Sequence, residues 1–397
     1  MASSRGTKTD LASLGQGHLT EAVRAADKAT AKTLSKNIEA ADVPLAVGLH
    51  TLTVKGKAAS KTEVRMAEAA VGKERAKAMA KAGKSSKAKV KEWTDVFVAD
   101  EPAQAKKRAQ LERIGLDEVR QSRVAVCTMA GGQGTRLGSS DPKGMYDIGL
   151  PSGKTLFHLQ ADRILAVQRL AGGGVVRWYI MTSPATHAPT EAYLKKSKYF
   201  GLRKDQVRLF QQGMLPAFDN DGKIILAGED TLAMSPNGNG GIYEALHKEG
   251  IIAEMSKLDI RHFHVCSIDN ALVKMADPVF TGYCVSKKAE CGAKVVRKTD
   301  PEERVAIIGK VGGKARVVEY TEIADLAFVK SKKDPSLLMY RTGNPCIHYY
   351  SLAFLKRTVS SPLVHIAKKK IPFWDADEEE YVLLRPSPPC PPPTCPD

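Results

Sequence analysis

The run VAVCTMAGGQGTRLG, residues 124–138, decides how this chain folds. Its first six residues are mostly apolar and partly β-branched, the composition of a buried strand. The rest breaks into four glycines interleaved with Gln133, Thr135 and Arg136. A strand that empties into such a loop lets the backbone come very close to a ligand, because glycine has no Cβ to hold it away. Gly131, Gly132, Gly134 and Gly138 can turn their N–H groups inward as an anion-binding concavity, while Arg136 and, in the following DPKGMYDIG, Lys143 add full positive charge. The loop therefore reads as a phosphate cradle rather than a plain tight turn.

Two commoner nucleotide motifs are excluded. GKT at 153–155 ends like a Walker A loop, but Ile148 stands where its leading glycine belongs, and GGQGTRLG lacks the third glycine of a dinucleotide fingerprint in register. Neither an ATPase nor a dehydrogenase is indicated.

Outward from the loop, strand and helix patterns alternate: VAVCTM then TLFHLQADRILAVQRL, VVRWYIMTS then PTEAYLKKS, VRLFQQ, and GIYEALHKEGIIAEMSK then IRHFHVCSID. The alternation predicts an α/β fold, a Rossmann-like, parallel-rich sheet covered by helices, with ligands at the carboxyl ends of the strands. Asp269 ends one of those strands and faces that edge. His262 and His264 lie two apart on the same strand with no third ligand at a recognisable spacing, and read as structural. SPNGNGG (235–241) sets Gly238, Gly240 and Gly241 around Asn239 before an amphipathic helix, a second close-approach loop at a helix N-terminus. AKVVRKTD, RVAIIGKV and KARVVEYTEI, between 293 and 323, read as antiparallel strands with short turns.

The 397 residues allow two or three domains, and the formal charge of +16 is uneven. Residues 1–110 read as a helical, Ala- and Lys-rich N-terminal region, partly disordered, with a loop through DVPLAVGLHTLTVKGKAASK (42–61). Its segment KERAKAMAKAGKSSKAKVK (73–91) lacks the interleaved aromatics that single-stranded nucleic acid would want, so nucleic acid is not the expected partner. Residues 111–375 form the expected catalytic domain, and 376–397 an acidic, then Pro-rich tail unsuited to a helix or a central strand and expected to be disordered. Seven scattered cysteines without a CxxC pair read as thiols of a cytoplasmic protein. No apolar run approaches the roughly 18 residues of a membrane span, and MASSRGTKTD lacks the apolar core of a secretory signal.

These residues resemble the signature of sugar nucleotide pyrophosphorylases, in detail that of the eukaryotic UDP-N-acetylglucosamine pyrophosphorylase family. The resemblance runs on through LPSGKTLFHLQADRIL (150–165), FQQGMLPA (210–217), SPNGNGGIYEAL (235–246), SIDN (267–270), CGAKVV (291–296), VVEYTEI (317–323), GN (343–344) and AKKKIP (367–372), collinear from about 110 to 375. It implies a mixed, mostly parallel sheet of the nucleotide-diphospho-sugar transferase type, with the antiparallel strands closing over a sugar. It also implies formation of UDP-N-acetylglucosamine and pyrophosphate from UTP and N-acetylglucosamine-1-phosphate with Mg²⁺ at Asp269.

By the same resemblance, Arg136 and Lys143 are the catalytic pair at the pyrophosphate end. Ala130, Gly131, Gly132, Gln133, Gly134 and Thr135 cradle the nucleotide, Gln212 hydrogen-bonds the uracil, and Gly238, Asn239 and Gly240 meet it from a second loop. Glu319 and Asn344 contact the sugar, and Lys368, Lys369 and Lys370 are candidates for phosphate. GMYDIGLPSGKT and the TGN context favour an N-acetyl hexosamine over glucose-1-phosphate, the alternative substrate. Chains of the family run on past this point through a further basic residue and a small C-terminal domain, so a weakly active or non-catalytic UDP-sugar binder is the other expectation.

Overall fold

Val124–Met129 is buried at every position, as its composition demands, and lies within a nine-stranded sheet. In this computed structural model, residues 10–55, 59–73, 76–77, 79, 90–134, 138–237, 240–358, 372–375 and 380–383 are described. Their contacts divide the chain into two units, one of Met1–Lys87, Met214–Gly240 and Leu363–Asp397, the other of Ala88–Gly213 and Gly241–Pro362. The sequence bounds of these units differ from 110 and 375, because residues 214–240 pack with the N-terminal helices.

The second unit holds the sheet, with strands β1 Lys91–Glu92, β2 Val124–Met129, β3 Arg177–Thr182, β4 Val207–Gln211, β5 His262–Ser267, β6 Cys291–Arg297, β7 Ile307–Val311, β8 Lys314–Val318 and β9 Thr342–Ser351. Their order is β1-β7-β9-β5-β2-β3-β4, with β6 paired to β9 and β8 to β7. β5, β2, β3 and β4 are parallel, and β9 joins β5 antiparallel. The segments read as antiparallel strands do pair antiparallel, but through β9 they extend the main sheet. Gly312 and Gly313, at φ 57° and 83°, make the two-residue turn between β7 and β8, where L side chains would be strained.

Helices cover both faces of the parallel strands, which is why those strands read as continuous apolar runs rather than alternating ones. Val126, Trp178 and Cys266 face α1 Leu156–Leu170 and α2 Pro184–Lys196 through Phe157, Ile164 and Leu194. Cys127, Tyr179 and Val265 face the other way, against Ile242, Leu246 and Met255 of α3 Gly241–Lys248 and α4 Ile251–Lys257. The period-two alternation of a strand sorts the two sets. GIYEALHKEGIIAEMSK, expected as one helix, is thus two, broken where Gly250 takes φ 70°. Thr128, buried at the end of β2, donates to Gln160 Oε1 (2.8 Å) and accepts from Trp178 Nε1 (2.9 Å), so its hydroxyl is satisfied inside the core.

The first unit carries the helices Gly17–Ala25, Lys28–Ala40, Val43–His50 and Lys61–Val71. The loop expected over 42–61 is instead a helix over Val43–His50 running into a π-helical turn, Thr51–Lys55. Pro44 falls in the first helical turn, where its missing N–H costs nothing, and Asp42 caps it by accepting from Leu45 N. Leu19, Leu34, Ile38 and Val43 share a core with Ile224 and Leu232, which joins residues 214–240 to this unit. Inside the tail expected to be disordered, Glu380–Leu383 pairs antiparallel with Pro372–Asp375.

Candidate active site

The parallel strands end level with one another, and that sets the site. Met129 pairs with Met181 and with Ser267, and Thr182 with Gln211. Carrying those registers just past the strand ends brings Gln212, Ser183, Gly131 and Asp269 into one row along the carboxyl edge. Backbone hydrogen bonds continue the ladder there: Ala130 N donates to Met181 O (2.7 Å), Gln212 N to Thr182 O (2.9 Å) and Ile268 N to Met129 O (3.1 Å). On the other side of β5, β9 runs antiparallel, with His348 paired to Val265.

Gly131 lies directly against Gln212, and a Cβ built there would run into Gln212 Nε2. Ser183 Oγ donates to Gly131 O (2.8 Å), while Ser183 N donates to Thr186 Oγ1 (3.0 Å). Ser183 closes the strand pattern VVRWYIMTS, but neither it nor Thr186 was among the candidate site residues. Their signal was the Ser-Pro step after RWYIMT, a helix start that turns the hydroxyls toward the loop.

The glycine loop folds back on the segment that follows it. Gly134 N donates to Asp141 O (2.8 Å) and Lys143 N to Gly132 O (3.2 Å), and Gln133 bridges Pro142. This return brings Lys143 onto the cradle, where its Cδ, Cε and Nζ lie 3.5–3.6 Å from where a Cβ on Gly132 would be. Lys143 Nζ stands 3.8 Å from Asp269 Oδ2; the lysine side chain is 16% exposed and the aspartate 49%. A pair at that distance with one half-exposed partner is loosely held, so each group can exchange the other for a ligand at little cost. Ala130 is buried beneath the loop. Thr135 and Arg136 lie outside the described residues.

Glu319 and Asn344 flank Ala306 on the antiparallel side of the sheet. Ile307 pairs with both Val318 and Gly343, so the next residue, Ala306, falls between Glu319 and Asn344. Ala306 O accepts from Asn344 N at 2.7 Å. Between Gly343 and Ile347, β9 bulges relative to β6, and Cys346 takes φ 55°, a local kink that re-aims Asn344. VVEYTEI is not strand throughout: β8 stops at Val318, and Tyr320–Ile323 is a helical turn whose first bonds return to Glu319 O. Glu319 is buried, with Oε2 unpartnered among the described residues. Burial, then the neighbouring Glu322, pushes its carboxyl above the usual range.

Gly240 is an exposed turn residue before α3; Gly238, Asn239, Lys368, Lys369 and Lys370 lie outside the described residues. Both strand histidines are structural. His262 Nδ1 lies 2.7 Å from the Tyr349 hydroxyl and its Nε2 3.1 Å from Glu118 Oε2, while His264 Nδ1 accepts from Ala276 N at 3.0 Å. Among the described residues no group of three or more His, Cys, Asp or Glu could hold a metal ion, and no helix is long and apolar enough to cross a membrane.

A sheet that is parallel through β4, β3, β2 and β5 and turns antiparallel at β9, with a glycine loop backed by a lysine after β2, defines an α/β protein of the nucleotide-diphospho-sugar transferase type. The chain belongs to the family described as UTP--glucose-1-phosphate uridylyltransferase, which it matches over residues 73–380. It is 44% identical over 282 residues to UDP-N-acetylglucosamine diphosphorylase 2 of Arabidopsis thaliana, covering 67% of this chain and 56% of that one. To UDP-N-acetylglucosamine pyrophosphorylase of Saccharomyces cerevisiae it is 44% identical over 284 residues, 70% of this chain and 59% of that one. Among solved structures, the uridine diphosphate N-acetylglucosamine pyrophosphorylase of Trypanosoma brucei, in complex with an inhibitor, is similar with a TM-score of 0.74 at 27% identity, covering 96% of this chain and 74% of that one. The chain spans little more than half the length of the curated relatives it matches.

Proposed function

We propose that this chain transfers a uridylyl group from UTP to N-acetylglucosamine-1-phosphate, releasing pyrophosphate and UDP-N-acetylglucosamine. The observation that carries the reading is the row Gln212, Gly131 and Asp269 along one sheet edge, with Lys143 Nζ 3.8 Å from Asp269. The names of the relatives supply the sugar: both curated proteins described above are named for UDP-N-acetylglucosamine.

A phosphate oxygen of the sugar phosphate attacks the α-phosphorus of UTP in line, and the bond from that phosphorus to the bridging oxygen breaks as pyrophosphate leaves. Such a transfer asks little covalent chemistry of the protein, so catalysis is positioning and charge neutralisation. Lys143, held on the cradle by its own backbone bond to Gly132, stabilises the charge growing on the leaving group. Arg136 adds the second positive charge at the same loop. The N–H groups of residues 131–133 face the phosphates, and the Gln212 carboxamide offers both a donor and an acceptor to the uracil edge. Glu319 Oε2, buried and unpartnered among the described residues, accepts from a sugar hydroxyl, with Asn344 on the far side of Ala306.

Asp269 fits Mg²⁺: it presents a hard oxygen, half exposed, at the edge where the phosphates would lie. An ion held there would offset phosphate charge. Gly238, Asn239 and Gly240 would meet the nucleotide from a second loop, and Lys368, Lys369 and Lys370 are phosphate candidates by resemblance. The reading carries a cytoplasmic setting, consistent with thiols at Cys127, Cys266, Cys284 and Cys291.

The test is pyrophosphate release from UTP with N-acetylglucosamine-1-phosphate, N-acetylgalactosamine-1-phosphate and glucose-1-phosphate in parallel, together with calorimetric titration of UTP, ATP and GTP. Turnover fastest with the N-acetyl sugar and binding selective for UTP are expected. Equal affinity for the three triphosphates would overturn the reading.

A further inference from the structure

Lys298, which follows β6 in the second unit, is 2% exposed, a burial that lysine seldom reaches without a carboxylate beside it. Its Nζ donates instead to a backbone carbonyl, Glu303 O (2.9 Å). Taking an ammonium out of water is costly, and burial accordingly pulls this one below its ordinary pKa. An apolar side chain would fill the same place without that cost. What the charge gives in return is a charge-assisted hydrogen bond, about twice as strong as a neutral one, to a segment that has little else to hold it.

That segment, residues 299–305, connects β6 to β7, and none of its residues is buried, so no core packing fixes it. It is closed by polar bonds. Glu303 Oε1 accepts from Thr299 N (3.0 Å), Thr299 Oγ1 (3.2 Å) and Asp300 N (2.9 Å), while Glu303 O accepts from Val305 N (2.9 Å) as well as from Lys298 Nζ. At its other end Lys298 is tied to the residue before β9, its N donating to Arg341 O (2.9 Å). Past the segment the chain lies against β9: Val305 Cγ1 is 3.3 Å from where a Cβ on Gly343 would be, and Ala306 O accepts from Asn344 N (2.7 Å). One side chain thus joins the end of β6, the connection to β7 and the start of β9, where Asn344 stands.

We propose that Lys298 is a positioning residue for the sugar half of the substrate: by tying Glu303 O to the end of β6 it sets Ala306, and through the Ala306 carbonyl it keeps Asn344 in one position. The proposal rests on the uridylyltransferase reading and deepens it at the sugar side. In this role Lys298 touches no substrate and acts through the backbone that it fixes.

The experiment uses the full chain and two variants. Lys298→Met keeps the length of the side chain and removes the charge, and Glu303→Ala opens the same segment from its exposed side. The readouts are calorimetric affinity for UDP-N-acetylglucosamine and for UDP, and amide hydrogen exchange at residues 299–306 and at Asn344. Loss of one charge-assisted bond should weaken binding of the sugar nucleotide about tenfold in Lys298→Met, and loss of the weaker Glu303 contacts about threefold, with UDP affinity at the parent value in both. Exchange quickens at Val305 and Asn344, and KM for the sugar phosphate rises while KM for UTP holds. Parent-level affinity for the sugar nucleotide despite faster exchange overturns the proposal. So does unchanged exchange in the folded variants, or an equal weakening of UDP and UDP-N-acetylglucosamine, which would mark a general structural role. Should Lys298→Met fail to fold, Glu303→Ala decides the matter in the same way. A parent chain that binds UDP and the sugar nucleotide alike overturns the proposal alone, whereas one that binds neither overturns the functional reading and the proposal with it.

Discussion

Lys143 Nζ lies 3.8 Å from Asp269 Oδ2, although 126 residues separate the two in sequence. The backbone return from Lys143 N to Gly132 O and the continuation of β5 alongside β2 bring them together. Each side chain is thereby delivered by an element that also shapes the glycine loop.

If Lys143 neutralises the leaving pyrophosphate mainly in the transition state, Lys143→Ala lowers kcat by roughly a hundredfold or more, the scale of one lost charge-stabilising donor. Arg136→Ala is expected to behave alike. Steady-state kinetics with saturating UTP checks both, and a near-parent kcat removes the residue from its role.

Gly131→Ala forces a methyl group into Gln212 Nε2. The atom displaced is the far end of a flexible side chain, so the protein accommodates the methyl with little loss of stability while Gln212 leaves its place. The expected result is a thermal midpoint within a few degrees of the parent and a KM for UTP raised by about tenfold, the worth of a hydrogen bond of about 1.4 kcal/mol. Calorimetric unfolding and initial rates measure the two quantities separately.

Burial holds the Glu319 carboxyl above the usual range. Its charged form, the better acceptor for a sugar hydroxyl, is therefore lost at higher pH than for an ordinary glutamate as the solution is acidified. The acid limb of kcat/KM for the sugar phosphate should fall correspondingly early, and Glu319→Gln should flatten that limb while lowering the plateau. A limb of unchanged position in the variant would assign the titration elsewhere.

Burial also pulls His264 and His348 down to about 4. Between that value and the ordinary 6.5 the unfolded chain binds protons that the folded chain does not, so stability falls as pH drops through this window and is fully present above it. Each ring contributes up to ~1.4 kcal/mol per pH unit across the window. Urea unfolding from pH 7 to pH 4 should show the decline, and His348→Phe, which removes one titrating group, should make it shallower.

The sequence by itself determined the strands and the cradle. VAVCTM, RWYIMT and HFHVCS are apolar because both faces of a parallel sheet are covered, and a glycine run after such a strand has few other uses. Asp269 was legible for the same reason, as the polar residue that ends a buried strand. Local chemistry misled in two places: residues 42–61 read as a loop, yet Val43–His50 is a helix with Pro44 in its first turn, and Gly250 divides a helix that the apolar period runs straight through. The tertiary structure alone decided the rest. The alignment of Glu319 and Asn344 about Ala306 depends on registers among three strands and on a bulge, and the placing of residues 214–240 depends on hydrogen bonds from Gln16 and Asn37 about two hundred positions away. Residue type and spacing encode which faces are buried, since burial is felt one residue at a time. Pairing between distant segments is fixed only when the whole set of buried faces and backbone hydrogen bonds is satisfied together.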